Sequence, residues 1–91
     1  MEKITLDFSN CKTWYDIHEE IRLKFDFPEW YGKNLDALWD LMICYCSYEL
    51  VVSIYGTKDQ SKENTEVITA ILKVFDDVHK EQPNIKFEIV S

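Results

Sequence analysis

Leu50-Val51-Val52-Ser53-Ile54-Tyr55 is the stretch on which the fold turns, because its nearly continuous apolar character is the pattern of a strand covered on both faces. Working outward, Ile4-Thr5-Leu6-Asp7-Phe8 near one end alternates with period two, as a half-buried strand does. At the other end Ile85, Phe87 and Ile89 alternate with Lys86 and Glu88. Between the first two strands, Thr13 can cap a helix, with Asp16 completing a variant of the capping box. Trp14, Ile17, Ile21 and Phe25 then recur at helical spacing, and Pro28 lies where that helix must have stopped. After residue 55, Gly56 to Ser61 is polar, with one short helical turn expected near Ser61–Asn64. A long helix is predicted from about Glu66 to Lys80, with Val67, Ile68, Ile71, Leu72, Phe75 and Val78 on one face. Pro83-Asn84 ends it. The predicted order is β-α-α-β-(short α)-α-β in a single domain over residues 1–91. Strands separated by helices imply parallel pairing with right-handed crossovers. The fold class is therefore α/β, a three-stranded parallel sheet with helices packed on it and residues 50–55 in its centre.

Composition narrows the function classes. At 91 residues and 46% apolar, the chain is an ordinary globular domain. No apolar run approaches the roughly 20 residues of a membrane helix. The first residues lack the uninterrupted apolar core of a secretory signal, so a cytoplasmic location is expected. Three cysteines, Cys11, Cys44 and Cys46, fit reduced thiols. Cys44 and Cys46 point about 200° apart on a helix and cannot chelate one metal together. Seventeen acidic against ten basic side chains give a net charge of −7. That field repels nucleic acid and anionic membranes and attracts cationic partners.

The segment richest in chemistry is Pro28-Glu29-Trp30-Tyr31-Gly32-Lys33-Asn34-Leu35-Asp36-Ala37-Leu38-Trp39-Asp40. Residues 29–33 read as an exposed loop with unusual aromatic surface. Asn34 is a good cap for a second helix running to about Cys46, with a core stripe of Leu35, Leu38, Trp39, Met42 and Cys46. Stepping about 100° per residue from Leu35 puts Asp36 near 100° and Asp40 near 140°, neighbours on one flank. Asp36 in the first turn favours the helix dipole, whereas Asp40 lies too far along for that explanation. Trp30 and Tyr31 would rim the same flank, and aromatics beside a charge cluster are typical of protein interfaces. Trp39 points coreward. Lys33, within this acidic patch, is expected to point outward at its rim. Paired carboxylates can also act in acid–base or metal chemistry, leaving a small metal-dependent hydrolase using Asp36 and Asp40 as a remote alternative. His18 and His79 are better explained structurally. No phosphate loop, nucleophile elbow or zinc spacing is present, and no cofactor is implied.

This thirteen-residue segment resembles the barstar family, intracellular inhibitors of small secreted bacterial ribonucleases. The resemblance extends through the Tyr48…Leu50-Val51 start of the middle strand, Gln60-Ser61-Lys62, Val74-Phe75 and the terminal strand. It implies a three-stranded parallel sheet backed by helices, and a second helix that fills a ribonuclease cleft. The residue matching Asp40 would occupy the phosphate site, with Asp36 supporting it against an arginine. Trp30 would stack beside the catalytic histidine, and Asn34, Leu35, Cys44 and Asp77 match other contact positions. Tyr31, Gly32 and Trp39 belong to the same candidate set. The implied partner is a basic extracellular-type ribonuclease in a 1:1 complex, the free inhibitor being a monomer. An immunity or interaction module of the same fold, directed at a different basic nuclease toxin, is the chief alternative. Several positions depart from the best-known pattern. Trp30 stands for tyrosine, Cys44 for glycine, Tyr45 for tryptophan and Asp77 for glutamate. Glu49 stands for a proline, so the family's cis peptide is not expected here.

Overall fold

Each helix begins where a short polar side chain can accept the first free backbone N–H groups. The computed structural model describes residues 2–45 and 49–91, Tyr45 by its backbone alone. Its elements are β1 (Glu2–Asp7), α1 (Trp14–Phe25), α2 (Leu35–Tyr45), β2 (Leu50–Tyr55), α3 (Lys62–Glu81) and β3 (Ile85–Ile89). At the head of α1 the Thr13 hydroxyl accepts from the Asp16 amide, and the Asp16 carboxylate accepts from the amides of Lys12 and Thr13. Asn34 Oδ1 accepts from the Ala37 amide at 2.8 Å to open α2. Ser61 Oγ accepts from the Asn64 amide at 3.1 Å to open α3.

Ser61 thus caps the long helix itself, and the separate short turn expected at 61–64 is absent. The helix runs without a break from Lys62. Its first turn, Lys62-Glu63-Asn64-Thr65, carries no apolar residue and so no periodic signal. Asn64 does the work of a core residue there, buried and donating to the Cys11 carbonyl and the Gln60 side chain.

The strands form one parallel sheet in the order β1-β2-β3, with Ile4 opposite Val52 and Val52 opposite Phe87. Two successive right-handed crossovers that step in the same direction leave all the helices on one face. Leu6, Leu50, Val52, Ile54 and Ile85 of that face are fully buried, in one core with Ile17, Ile21, Ile71, Phe75 and Val78. The opposite face of β2 is outside this core: Val51 is half-buried and Tyr55 exposed. Residues 50–55 are therefore central, as expected, yet covered by helices on one side only.

Two further expectations about the core are corrected. Trp14 is 52% exposed, because the first turn of α1 overhangs the core that Ile17 and Ile21 enter. On α2 the buried residues are Leu38, Leu41 and Met42, while Leu35 is exposed and Trp39 half-buried against the core. Cys46, Tyr48 and the Tyr48–Glu49 bond lie outside the described residues. Among the described residues no helix is long and apolar enough to cross a membrane.

Candidate functional site

The loop between α1 and α2 is anchored by one residue and displays its neighbour. Asp26 ends α1 in the left-handed conformation, φ 58°. A turn follows in which the Tyr31 amide donates to the Pro28 carbonyl at 3.0 Å. Tyr31 is 3% exposed, its ring beside Phe27 and its hydroxyl 2.6 Å from His18 Nδ1. It is not rim surface, contrary to expectation; it is the peg that pins the loop to α1. Burial drives the Tyr31 hydroxyl to ionise well above its ordinary range. Burial, helped by nearby Lys33, lowers the pKa of His18 and favours its neutral form. With Tyr31 turned inward, Trp30 at the tip of the same turn is left 71% exposed.

Past the turn, Gly32, Lys33 and Asn34 set the start of α2. Lys33 takes the left-handed conformation, φ 51°. Asn34 Nδ2 donates to the Gly32 carbonyl at 3.2 Å while its oxygen caps the helix. A Cβ on residue 32 would lie 3.0 Å from Asn34 Nδ2, so the glycine lets the cap fold back closely. Lys33 does not point outward. Its Nζ sits 3.2 Å from Glu19 Oε1 and over the Tyr15 ring, 4.9 Å from its centroid, on α1. The cation nearest in sequence to Asp36 and Asp40 is thereby neutralised at the back of the loop.

The true core direction of α2, set by Leu38, Leu41 and Met42, alters the wheel. Relative to it, Asp36 and Asp40 project at about 165° and 205°, almost opposite the core rather than on a flank. Both are exposed and, among the described residues, neither has an ion-pair or hydrogen-bond partner. No group of three His, Cys, Asp or Glu side chains among the described residues could hold a metal ion with them.

The structure divides the other candidates between two depressions. Trp30, Gly32, Asp40 and Cys44 line a concavity of about 410 Å³ with Ala37 and Leu41. Asn34 and Leu35 line a second groove, of about 290 Å³, with Trp14, His18, Val67 and Ala70. Asp77 is half-buried on α3, on the helical row that Val67 and Ala70 begin. Trp39 contributes packing beneath the ridge. Trp14, Val67 and Ala70 were missed as surface lining: their helical periodicity is that of core residues, and nothing local shows that the first turns of α1 and α2 diverge.

The comparisons with known proteins settle the family. The family described as Barstar (barnase inhibitor) matches residues 1–91. This chain belongs to the barstar family. That is a family of protein inhibitors, not of enzymes. A relative in Bacillus subtilis (strain 168), described as "Putative ribonuclease inhibitor YrdF", is 43% identical over 42 residues. The match covers 46% of this chain and 46% of that protein. Barstar membership agrees with the three-stranded parallel sheet and its helices described above.

Proposed function

We propose that this barstar-family chain inhibits a small cationic ribonuclease of the barnase type, as a 1:1 plug in its active-site cleft. The observation that carries the reading is the unpaired state of Asp36 and Asp40, exposed opposite the core beside a projecting Trp30. A ribonuclease cleft must be cationic to bind phosphates, and a rigid helix can hold carboxylates at phosphate-like positions. Charge-assisted bonds from arginine to carboxylate are the strong class of hydrogen bond. Asp40 takes the phosphate site and Asp36 supports it, as the resemblance implies. Trp30 stacks at the rim, Cys44 shapes the wall, and Asn34, Leu35 and Asp77 extend the contact toward α3. The free thiols of Cys11 and Cys44 fit action inside the cell that makes the nuclease. Cys44, lining the concavity where the family pattern has glycine, favours a cognate enzyme different from barnase itself on the same scheme.

The test is titration of the full chain into a barnase-type ribonuclease, following RNA cleavage. Stoichiometric loss of activity is expected. Asp40→Ala should weaken binding by about 2–5 kcal/mol, the cost of stranding buried cations, a range that itself draws on the barnase–barstar complex. No inhibition at micromolar protein would move the function to another basic nuclease. An Asp40→Ala affinity within about 0.5 kcal/mol of wild type would remove phosphate mimicry as the mechanism.

A further inference from the structure

Lys33 stands three residues before Asp36, and on electrostatic grounds it is the wrong charge for a surface that meets a cationic cleft. Its backbone is unusual as well. The left-handed conformation, φ 51°, is one that glycine adopts at less cost. What lysine adds at this position is a long side chain and its charge, and the fold sends both back onto α1.

Residues three and four apart share one face of a helix. On α1 the face formed by Tyr15, His18, Glu19 and Arg22 is the one against which the loop lies. Tyr15 carries the Lys33 ammonium over its ring at 4.9 Å, and Glu19 Oε1 meets it at 3.2 Å. His18 holds the Tyr31 hydroxyl at 2.6 Å. Glu19 is itself fixed in place, because Arg22 Nε and Nη2 donate to its two oxygens at 2.8 and 3.2 Å. Arg22 in turn lies in the field of Glu29. The charges on both sides of Trp30, Glu29 and Lys33, are thus matched by opposite charges on α1.

Exposed ion pairs contribute little, because two mobile side chains must be ordered in water that screens them. This pair escapes much of that cost. The Lys33 and Glu19 side chains are only 15% and 26% exposed, Arg22 orders the carboxylate beforehand, and the lysine adds a contact with an aromatic face. Tyr31 anchors the loop before Gly32, and Asn34 caps α2 beyond it. Lys33 ties the junction between these two anchors to α1.

We propose that Lys33 is a positioning residue: clamped on Glu19 and Tyr15, it holds Trp30 and Asp36 in the geometry that the nuclease meets, so that removing this cation weakens the grip on a cationic partner. The inference rests on the reading of α2 as the inhibitory element. A preformed surface loses less freedom on binding than a loose one, and the difference appears mainly in the off-rate. Charge alone acts in the opposite sense. Loss of Lys33 deepens the net charge of −7 by one unit, which strengthens long-range attraction and favours a faster on-rate.

The test measures association and dissociation of the full chain with a barnase-type ribonuclease, and amide exchange of the free chain. Lys33→Met keeps an apolar stem on Tyr15 and removes the charge. Its off-rate should rise at least about fivefold while the on-rate holds or increases. Glu19→Gln cuts the same pair from the other side and should also raise the off-rate. The double variant should be no worse than about twice the poorer single one, since both changes remove one contact. Lys33→Arg keeps the charge and offers a planar group to the Tyr15 ring, and should restore slow dissociation. In the free protein the Tyr31 amide, bonded to the Pro28 carbonyl, should exchange at least about threefold faster in Lys33→Met, with Val52 in β2 unchanged. An off-rate that stays the same or falls makes Lys33 a plain repulsive cation and overturns the proposal, as does exchange equal to wild type. Faster exchange in a chain whose wild type inhibits no such ribonuclease sustains the clamp and removes the barnase-type target instead.

Discussion

Cys11 and Cys44 are both free thiols, and their surroundings assign them different chemistry. Burial, together with the carboxylates of Glu20, Asp16 and Asp7, pushes the Cys11 thiol up to about 11, which suppresses the thiolate that alkylating reagents need. Cys44 is exposed and shares its concavity with Trp30 and Asp40. N-ethylmaleimide should therefore modify Cys44 and spare Cys11 in the folded protein. An adduct there occupies the surface proposed to meet the nuclease, and should weaken inhibition at least about tenfold. Mass spectrometry of digested peptides locates the adduct, and Cys44→Ala should make inhibition insensitive to the reagent. With Cys46 replaced by serine in both proteins, sensitivity that persists in Cys44→Ala would place the nuclease contact elsewhere.

At the scale of elements, the loop from Asp26 to Asn34 is held at both ends by polar bonds that can be cut separately. Asn34→Ala removes the α2 cap and should cost about 1 kcal/mol of stability, read as a lower midpoint in urea with an unchanged slope. The His18–Tyr31 bond gives a pH signature. The folded-state pKa of His18 lies below its ordinary 6.5, so the unfolded chain takes up the proton more readily. Stability from this group is complete above about 6.5 and is lost as pH falls toward the lower folded value. Glu19 and Asp7 are likewise lowered, from 4.5 and 3.8, by bonds from Arg22 and Ser9 respectively, so their losses begin at lower pH. The Tm should fall between about pH 7 and 5.5, and His18→Gln should flatten that part of the profile. A wild-type Tm constant across that interval would mean that His18 is protonated in the fold at no cost.

The same elements show how far sequence reaches. Strand identity, parallel order and the caps at Thr13 and Asn34 were legible, because period-two alternation and capping are local. So were Trp30, Asp36 and Asp40 as surface groups. Tyr31 was not, because the burial of a loop residue depends on a partner thirteen residues away and follows no period. Lys33 was misplaced for the same reason, its partner Glu19 being on α1. Leu35 and Trp14 fit apolar stripes whose outermost turns run past the core, and a helical wheel has no coordinate for where the neighbouring element ends.

For the whole molecule, the distribution of the net −7 charge matters more than its size. Arg22, Lys24, Lys33 and Lys80 are held in ion pairs with carboxylates of α1 and α3. α2 contains no base at all, so Asp36 and Asp40 face solvent without local compensation. A cationic nuclease approaching from any side feels an attraction that strengthens toward α2 and orients the encounter. The long-range part of that attraction is screened by salt, because the Debye length falls from about 10 Å at 0.1 M to about 3 Å at 1 M. In the proposed complex the short contacts of Asp40 in a closed cleft would be shielded from it. Salt should therefore act mainly on association: between about 0.05 and 0.5 M the on-rate should fall by at least tenfold, with little change in the off-rate. Asp36→Asn should lower the on-rate at low salt and reduce the salt slope, whereas replacing a lysine outside α2, such as Lys58 in the segment after β2, by alanine should barely alter either. Stopped-flow fluorescence can follow the encounter if Trp30 changes environment on docking. Equal salt slopes for wild type and Asp36→Asn would mean that the charge of the whole chain, rather than its concentration on α2, guides the approach.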